Sequence, residues 1–273
     1  MSSSNKLTSA ALSSASSLIS LQLFSRLTTF ILNQALVRLA TPQTYGTVSI
    51  QLEPVLNTIL FLSRDGFRNA LLRADDVGGK ERRRESKDKD RDRELRLSNV
   101  ALLPIYLGVP VTLVTITAYY MSASEAVKAQ PCFTPVVVLY ALAALVELIS
   151  EPMHIRSVQA LDPRTRVRAE GAAVIVRTII TLGTLAYDKF LPSSNTSTHL
   201  GLLAFALGQT AYAWTLLFMF SGTYRSLVSY KLQRPSRLGS IRGRFDEGLL
   251  KVSTAMTAQG VLKHILTEGD KVC

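Results

Sequence analysis

Two stretches of this chain hold no charged side chain over a length that only a membrane crossing demands. Asn99–Met121 runs 23 residues and Leu200–Thr223 runs 24 without Asp, Glu, Lys or Arg. Pro131–Ser150 adds 20 residues with Glu147 as its one charge. A helix rises about 1.5 Å per residue, so roughly 20 apolar residues cross a hydrocarbon layer. In lipid the chain must satisfy its own backbone hydrogen bonds, which makes the helix the spanning form for runs of this length. These three segments are transmembrane helices, and they set the fold class as all-α, a polytopic transmembrane bundle.

Weaker segments complete the pattern. Apolar character continues, with polar interruptions, near 7–39 (Arg26 lies close to its middle), 48–62 (broken by Glu53 and Pro54), 171–187 (which holds Arg177) and 249–266. With the three clear runs, near 99–121, 131–150 and 200–223, the expectation is about seven spans in one domain covering 1–273. No cleavable leader is apparent, so the first span is expected to act as its own insertion signal. Cys132 and Cys273 are the two cysteines, too few for a disulfide framework or a metal-ligand spacing.

The formal charge of +11 would suggest nucleic acid for a soluble chain. Here the basic residues collect between spans instead. Residues 64–96 hold 12 Lys or Arg against 9 Asp or Glu, 151–168 hold four arginines, and 225–244 hold six basic residues and no acid. With Lys6, these segments carry 23 of the 31 basic residues. The alternate connections carry Arg38, Lys128 and Lys189. The positive-inside rule then places the N-terminus and the charged loop 64–97 in the cytosol. Asn195-Thr196-Ser197 is a glycosylation sequon, and it falls in a connection expected to face the lumen. The core of the charged loop, Lys80–Arg96, reads as a solvated, partly disordered segment, or as a contact for anionic lipid head groups.

No catalytic signature appears. Gly78-Gly79-Lys80 lacks the upstream glycine of a phosphate loop, and neither a nucleophile elbow nor a His-rich metal cluster is present. His264 and Glu268 stand four apart and read as a helix-face polar contact. The expectation is a membrane protein that is not an enzyme, with no cofactor, no metal and no nucleic-acid partner.

The informative residues are charges within spans. A charge at mid-bilayer costs about 2.5–3.5 kcal/mol on insertion scales, so it usually faces a bundle interior or a watery cavity. Helical spacing groups these residues into stripes. Gln22, Arg26 and Asn33 share one face, and Glu53, Asn57 and Arg64 another. Glu147, Glu151 and His154 line up, as do Glu170, Arg177, Thr181 and Thr184. Four such stripes imply a hydrated interior. Arg64 and Arg68 either face it or snorkel at the interface. Glu147 and Arg177 either serve the cavity or pair across helices. The uncharged 99–121 and 200–223 spans are expected to be outer, lipid-facing helices.

Five strings extend the reading. Leu23–Asn33 (LFSRLTTFILN), Leu60–Arg68 (LFLSRDGFR), Val146–Pro152 (VELISEP), Arg168–Gly171 (RAEG) and Lys263–Lys271 (KHILTEGDK) stand in this order along the chain. Together they resemble the eukaryotic Rft oligosaccharide-translocation family, within the multidrug/oligosaccharidyl-lipid/polysaccharide exporter superfamily. The resemblance implies a multi-pass protein of the endoplasmic reticulum membrane that moves dolichol-pyrophosphate-linked Man5GlcNAc2 from the cytosolic to the luminal leaflet for N-linked glycosylation. It implies one lobe of an exporter-type flippase, with a second lobe expected C-terminal to Cys273. Arg26, Asn33, Asn57, Arg64 and Arg68 are the expected substrate-binding residues, the arginines for pyrophosphate and the amides for sugar hydroxyls. Glu53, Glu147 and Arg177 are expected to set cavity charge or coupling. Dolichol-linked oligosaccharide and membrane lipid are the expected partners. Three other readings stay open: a non-transporting accessory protein of the glycosylation pathway, an inactive truncated fragment, and a drug or cation exporter. The arginines speak against the last of these.

Overall fold

A computed structural model describes Phe30 and residues 34–71, 87–160, 162–190, 200–228, 230 and 247–269, and the described residues are helical with no strand. After a short helix α1 over 34–39 comes a nearly continuous rod, α2, over 42–71. Pro42–Thr47 opens it, with Thr41 accepting from the Thr44 amide as its N-cap. Two π-helical turns, Val48–Leu52 and Phe61–Asp65, interrupt it on either side of Glu53–Leu60. The remaining helices are α3 (Lys87–Ser122), the short α4 (Glu125–Lys128), α5 (Phe133–Gln159), α6 (Pro163–Phe190), α7 (Gly201–Tyr224) and α8 (Glu247–Gly269).

Four of these are long and apolar enough to cross a membrane, namely α5, α6, α7 and α3 from Leu95 onward. The membrane bundle is as expected, and four of the seven expected spans are seen among the described residues. The 48–62 and 249–266 segments are helical, as parts of α2 and α8, but are not among the four. Two π-helical turns interrupt α2, and α8 is rich in Ser, Thr and Lys. Apart from Phe30 and 34–39, the 7–39 segment lies outside the described residues. The charged loop 64–97 differs too. Its first residues continue α2 to position 71, and from Lys87 it is the start of α3.

α5 is the most buried of the four spans, lying between α3 and α7, and α7 packs along both α5 and α6. The 200–223 helix, expected to be an outer one, is therefore packed on two sides, and it keeps Trp214 and Phe218 outward. Ala204, Ala206, Gly208 and Ala213 give α7 small faces that let its neighbours approach closely. A Cβ at Gly208 would lie 2.9 Å from the Arg177 carbonyl oxygen, so only glycine fits between α6 and α7. α8 meets α2 in the same way. A Cβ at Gly66 would stand 2.8 Å from both the Ser253 carbonyl oxygen and the Thr257 nitrogen. The Asn99–Met121 run does keep a largely exposed face, with Tyr106, Leu113 and Val114 outward. A run that is apolar all round says that it is out of water; it does not say whether its neighbour is lipid or protein.

The C-terminal ends of α2, α5 and α7 and the N-terminal ends of α3 and α6 gather at one end of the bundle. Phe67, Leu71, Val100 and Ile155 form one cluster there, and Met153, Ala169, Phe220 and Tyr224 a second. The Asp162 carboxylate accepts from the Thr165 hydroxyl at 2.5 Å and the Tyr224 hydroxyl at 2.9 Å. These bonds, Thr165 first, hold its carboxyl below the usual carboxylate range. At the opposite end Gln130 donates to Thr47 at 2.9 Å, and Tyr119 to Gln51 at 3.1 Å.

Candidate functional site

The polar stripes meet along the seam of α2, α5 and α6. Near the end where the basic segments emanate, two arginines one turn apart on α2 face two glutamates one turn apart on α5. Arg64 Nη1 donates to Glu147 Oε1 at 2.7 Å and lies 3.7 Å from Glu151 Oε2. Arg68 grips Glu151 with both prongs, Nε to Oε1 and Nη2 to Oε2, each at 2.6 Å. A bidentate pair of this kind fixes both side chains in one plane and adds geometric specificity to charge attraction. The Glu151 side chain is 1% exposed, so its charge is tolerable because Arg68, with Arg64 behind it, is present. The network is incomplete, since Arg64 Nε is buried without a partner.

Further along the same seam, Glu170 of α6 accepts from Arg166 Nε at 2.8 Å, and His154 Nε2 of α5 lies 3.8 Å from the same oxygen. The His154 ring rests edge-on against Phe220 of α7, their centroids 5.6 Å apart. In the other direction, Arg177 of α6 bonds Glu53 of α2. This pair is more open, with side chains 32% and 39% exposed. Two tyrosines stand between the groups. Tyr140 has a buried hydroxyl without a partner, and Tyr212 lies within electrostatic reach of Glu147, Glu170, Arg64 and Arg177.

The expected residues are thus brought together, with different partners. Glu147 does not pair with Arg177; it takes Arg64, and Arg177 takes Glu53. Arg64 and Arg68 are not snorkelling cations, because both are bound to carboxylates. Asn57 is exposed, one turn from Glu53 on α2. Thr178, Thr181 and Thr184 return their hydroxyls to the carbonyls of Val174, Arg177 and Ile180, each at 2.8 Å. Their stripe is therefore largely satisfied by its own helix. Arg26, Asn33 and Asn195 lie outside the described residues, as does Gln22. Among the described residues no group of His, Cys, Asp and Glu could hold a metal ion. Glu151, His154 and Glu170 stood in the stripes, yet were not expected as site residues. The signal for Glu151 was legible: Arg64/Arg68 and Glu147/Glu151 have the same four-residue spacing and opposite sign.

The class these features define is a polytopic, all-α membrane bundle with charged pairs threaded along one seam. The Rft protein family (Rft-1) matches residues 10–273, and the chain belongs to this family. Among curated relatives, the Man(5)GlcNAc(2)-PP-dolichol translocation protein RFT1 of Eremothecium gossypii is 32% identical over 267 residues, covering 92% of this chain and 47% of that protein. The protein of the same name from Saccharomyces cerevisiae is 29% identical over 281 residues, 92% of this chain and 49% of its own length. That of Dictyostelium discoideum is 27% identical over 267 residues, 93% and 46%. The chain spans about half the length of these relatives. No solved structure matches it.

Proposed function

We propose that this chain forms the first lobe of a translocator that carries dolichol-pyrophosphate-linked Man5GlcNAc2 from the cytosolic to the luminal leaflet of the endoplasmic reticulum membrane. The single observation that carries this reading is the line of ion pairs inside an otherwise apolar bundle. A pyrophosphate-linked glycan cannot cross hydrocarbon unaided, and a seam of arginines offers it a polar wall while the dolichol tail stays in lipid. The names of the relatives supply the cargo. In this reading residues 1–273 are one transmembrane lobe, the N-terminus lies in the cytosol, and a second lobe closes the other side of the cavity.

Roles follow from the pairs. Arg64 and Arg68 reach phosphate oxygens by exchanging a carboxylate for them, so Glu147 and Glu151 hold the arginines in place until cargo arrives. Arg177 and Glu53, being half exposed, set the charge of the wall. Arg26, Asn33 and Asn57 complete the contact with pyrophosphate and sugar, and Asn195 is the glycosylation candidate. A second reading, a non-transporting member of the glycosylation machinery, is favoured by one fact: each of the three seam arginines Arg64, Arg68 and Arg177 already has a carboxylate.

The test is lipid-linked oligosaccharide profiling in cells depleted of their own family member. This chain is supplied alone or together with the second half of the Saccharomyces cerevisiae relative, as wild type or as Arg26→Ala and Arg64→Ala. Clearance of an accumulated Man5 intermediate by the wild type, with loss in the arginine variants and unchanged membrane insertion, supports translocation by this lobe. Clearance that survives both variants sinks the phosphate roles and favours the supporting reading.

A further inference from the structure

We infer that the outward face of α6 holds a site selective for an anionic phospholipid, with the head group on Arg164 and Arg168 and an acyl chain along Gly171, Ile175 and Ile179. The inference stands independently of the cargo and of which side of the membrane this end faces. Residues 164, 168, 171, 175 and 179 recur every three or four positions, which places them on one face of α6. Arg164 and Arg168 are exposed there. So are Ile175 at 52% and Ile179 at 61%, with Val167 beside them at 65%. A Cβ at Gly171 would meet nothing within 4 Å, so the backbone just beneath the arginines is bare and open. By the same spacing Glu170 and Arg177, which α6 contributes to the seam, lie on its opposite side.

Charge decides the occupant. The acids at this end are already engaged, Asp162 by Thr165 and Tyr224, and Glu170 by Arg166. Arg164 and Arg168 form no ion pair among the described residues, so two guanidiniums one turn apart are left for an outside anion. Arg225, the residue after Tyr224, is exposed at the same end and adds to the positive field. A guanidinium matches phosphate oxygens with two parallel N–H bonds. From Arg168 to Ile179 the helix rises about 16 Å, close to half of a hydrocarbon layer about 30 Å thick. The charged and apolar parts of the stripe thus match one phospholipid in length. α3 makes the contrast. Its Tyr106, Leu113 and Val114 are also outward, but the helix begins in Lys87–Arg96, where basic and acidic residues alternate. Nothing in that pattern selects an anion.

Quenching of a single tryptophan by brominated lipid tests this. Trp214 is the chain's one tryptophan and is 53% exposed on α7. In phosphatidylcholine nanodiscs the full chain with Trp214→Phe and Ile175→Trp carries the reporter on the α6 stripe. The unaltered chain reports ordinary lipid contact at Trp214. Each receives acyl-brominated phosphatidic acid or acyl-brominated phosphatidylcholine at equal mole fraction. One arginine at a lipid surface favours an anionic lipid about fivefold. At position 175 the affinity for phosphatidic acid should therefore exceed that for phosphatidylcholine by at least about fivefold, and at Trp214 by much less. Adding Arg164→Gln and Arg168→Gln, both at exposed and unpaired positions, should bring the ratio at 175 down to that at Trp214 while helix content stays the same. A ratio at 175 no greater than at Trp214, or a preference that survives both glutamines, would overturn the proposal. Little quenching at 175 by either lipid would show that another copy of the chain covers this face, and would overturn it as well.

Discussion

Glu151 and Glu53 both lie on helices of an apolar bundle, and each bonds an arginine of a neighbouring helix. Their settings could hardly differ more. Glu151 is sealed at 1% exposure and held by both prongs of Arg68, while Glu53 is 39% exposed beside an Arg177 that is 32% exposed. A sealed pair acts as a clamp, because removing one partner strands a charge where no water reaches it. An open pair is adjustable, since solvent or a ligand can replace either partner. One seam thus holds a fixed end, joining α2 to α5, and a changeable stretch, joining α2 to α6.

The largest test of that contrast is Arg68→Ala. It leaves Glu151 buried with only the more distant Arg64, 3.7 Å away, to offset its charge, at a cost of up to about 3–5 kcal/mol. Thermal unfolding in detergent micelles should show a large drop or no folded protein. Next comes Gly66→Val, which forces a side chain into the Ser253–Thr257 backbone of α8. Overpacking of this kind costs about 1–3 kcal/mol, and hydrogen exchange over 247–260 should rise while the α5 clamp stays protected. Arg177→Ala should cost less, about 1 kcal/mol or below, because the pair is open. If it destabilises as much as Arg68→Ala, the two pairs do not differ in kind. Asp162→Asn should have the smallest effect, with a pH signature. The Asp162 carboxyl is held low, so its contribution is present above about pH 4, the ordinary carboxylate value, and is lost as pH falls through its lowered value. Unfolding scans from neutral to acid pH should converge for wild type and variant.

Much of this was legible in the sequence. Length with no charge, or with Glu147 alone, identifies the 99–121, 131–150 and 200–223 helices, because hydrocarbon allows little else. Helical spacing placed Glu147, Glu151 and His154 on one face of α5. Spacing is silent on which helix lies opposite, so a Glu147–Arg177 pair was one of two open expectations, whereas the packing gives Glu147 to Arg64. Neighbours depend on where small residues permit close approach, as at Gly208 against Arg177 and Thr181, and that is a property of two helices at once. The same limit hid the two neighbours of α7, which packs on α5 and α6 while Trp214 and Phe218 stay outward. Side-chain competition accounts for the threonines of α6: periodicity puts Thr181 and Thr184 on a polar face, but their hydroxyls, like that of Thr178, turn back to their own helix's carbonyls.

The central claim is that the seam arginines are paired and that Arg68–Glu151 clamps α2 to α5. Exchanging the two charges tests it most directly, with thermal unfolding measured for Arg68→Glu, Glu151→Arg and the two combined. The account predicts that each single change abolishes or greatly lowers the folded fraction, since two like charges then meet in a dry site, and that the combined exchange recovers a large part of it. An Arg68→Glu protein as stable as the wild type, or a combined exchange no better than the singles, would contradict it.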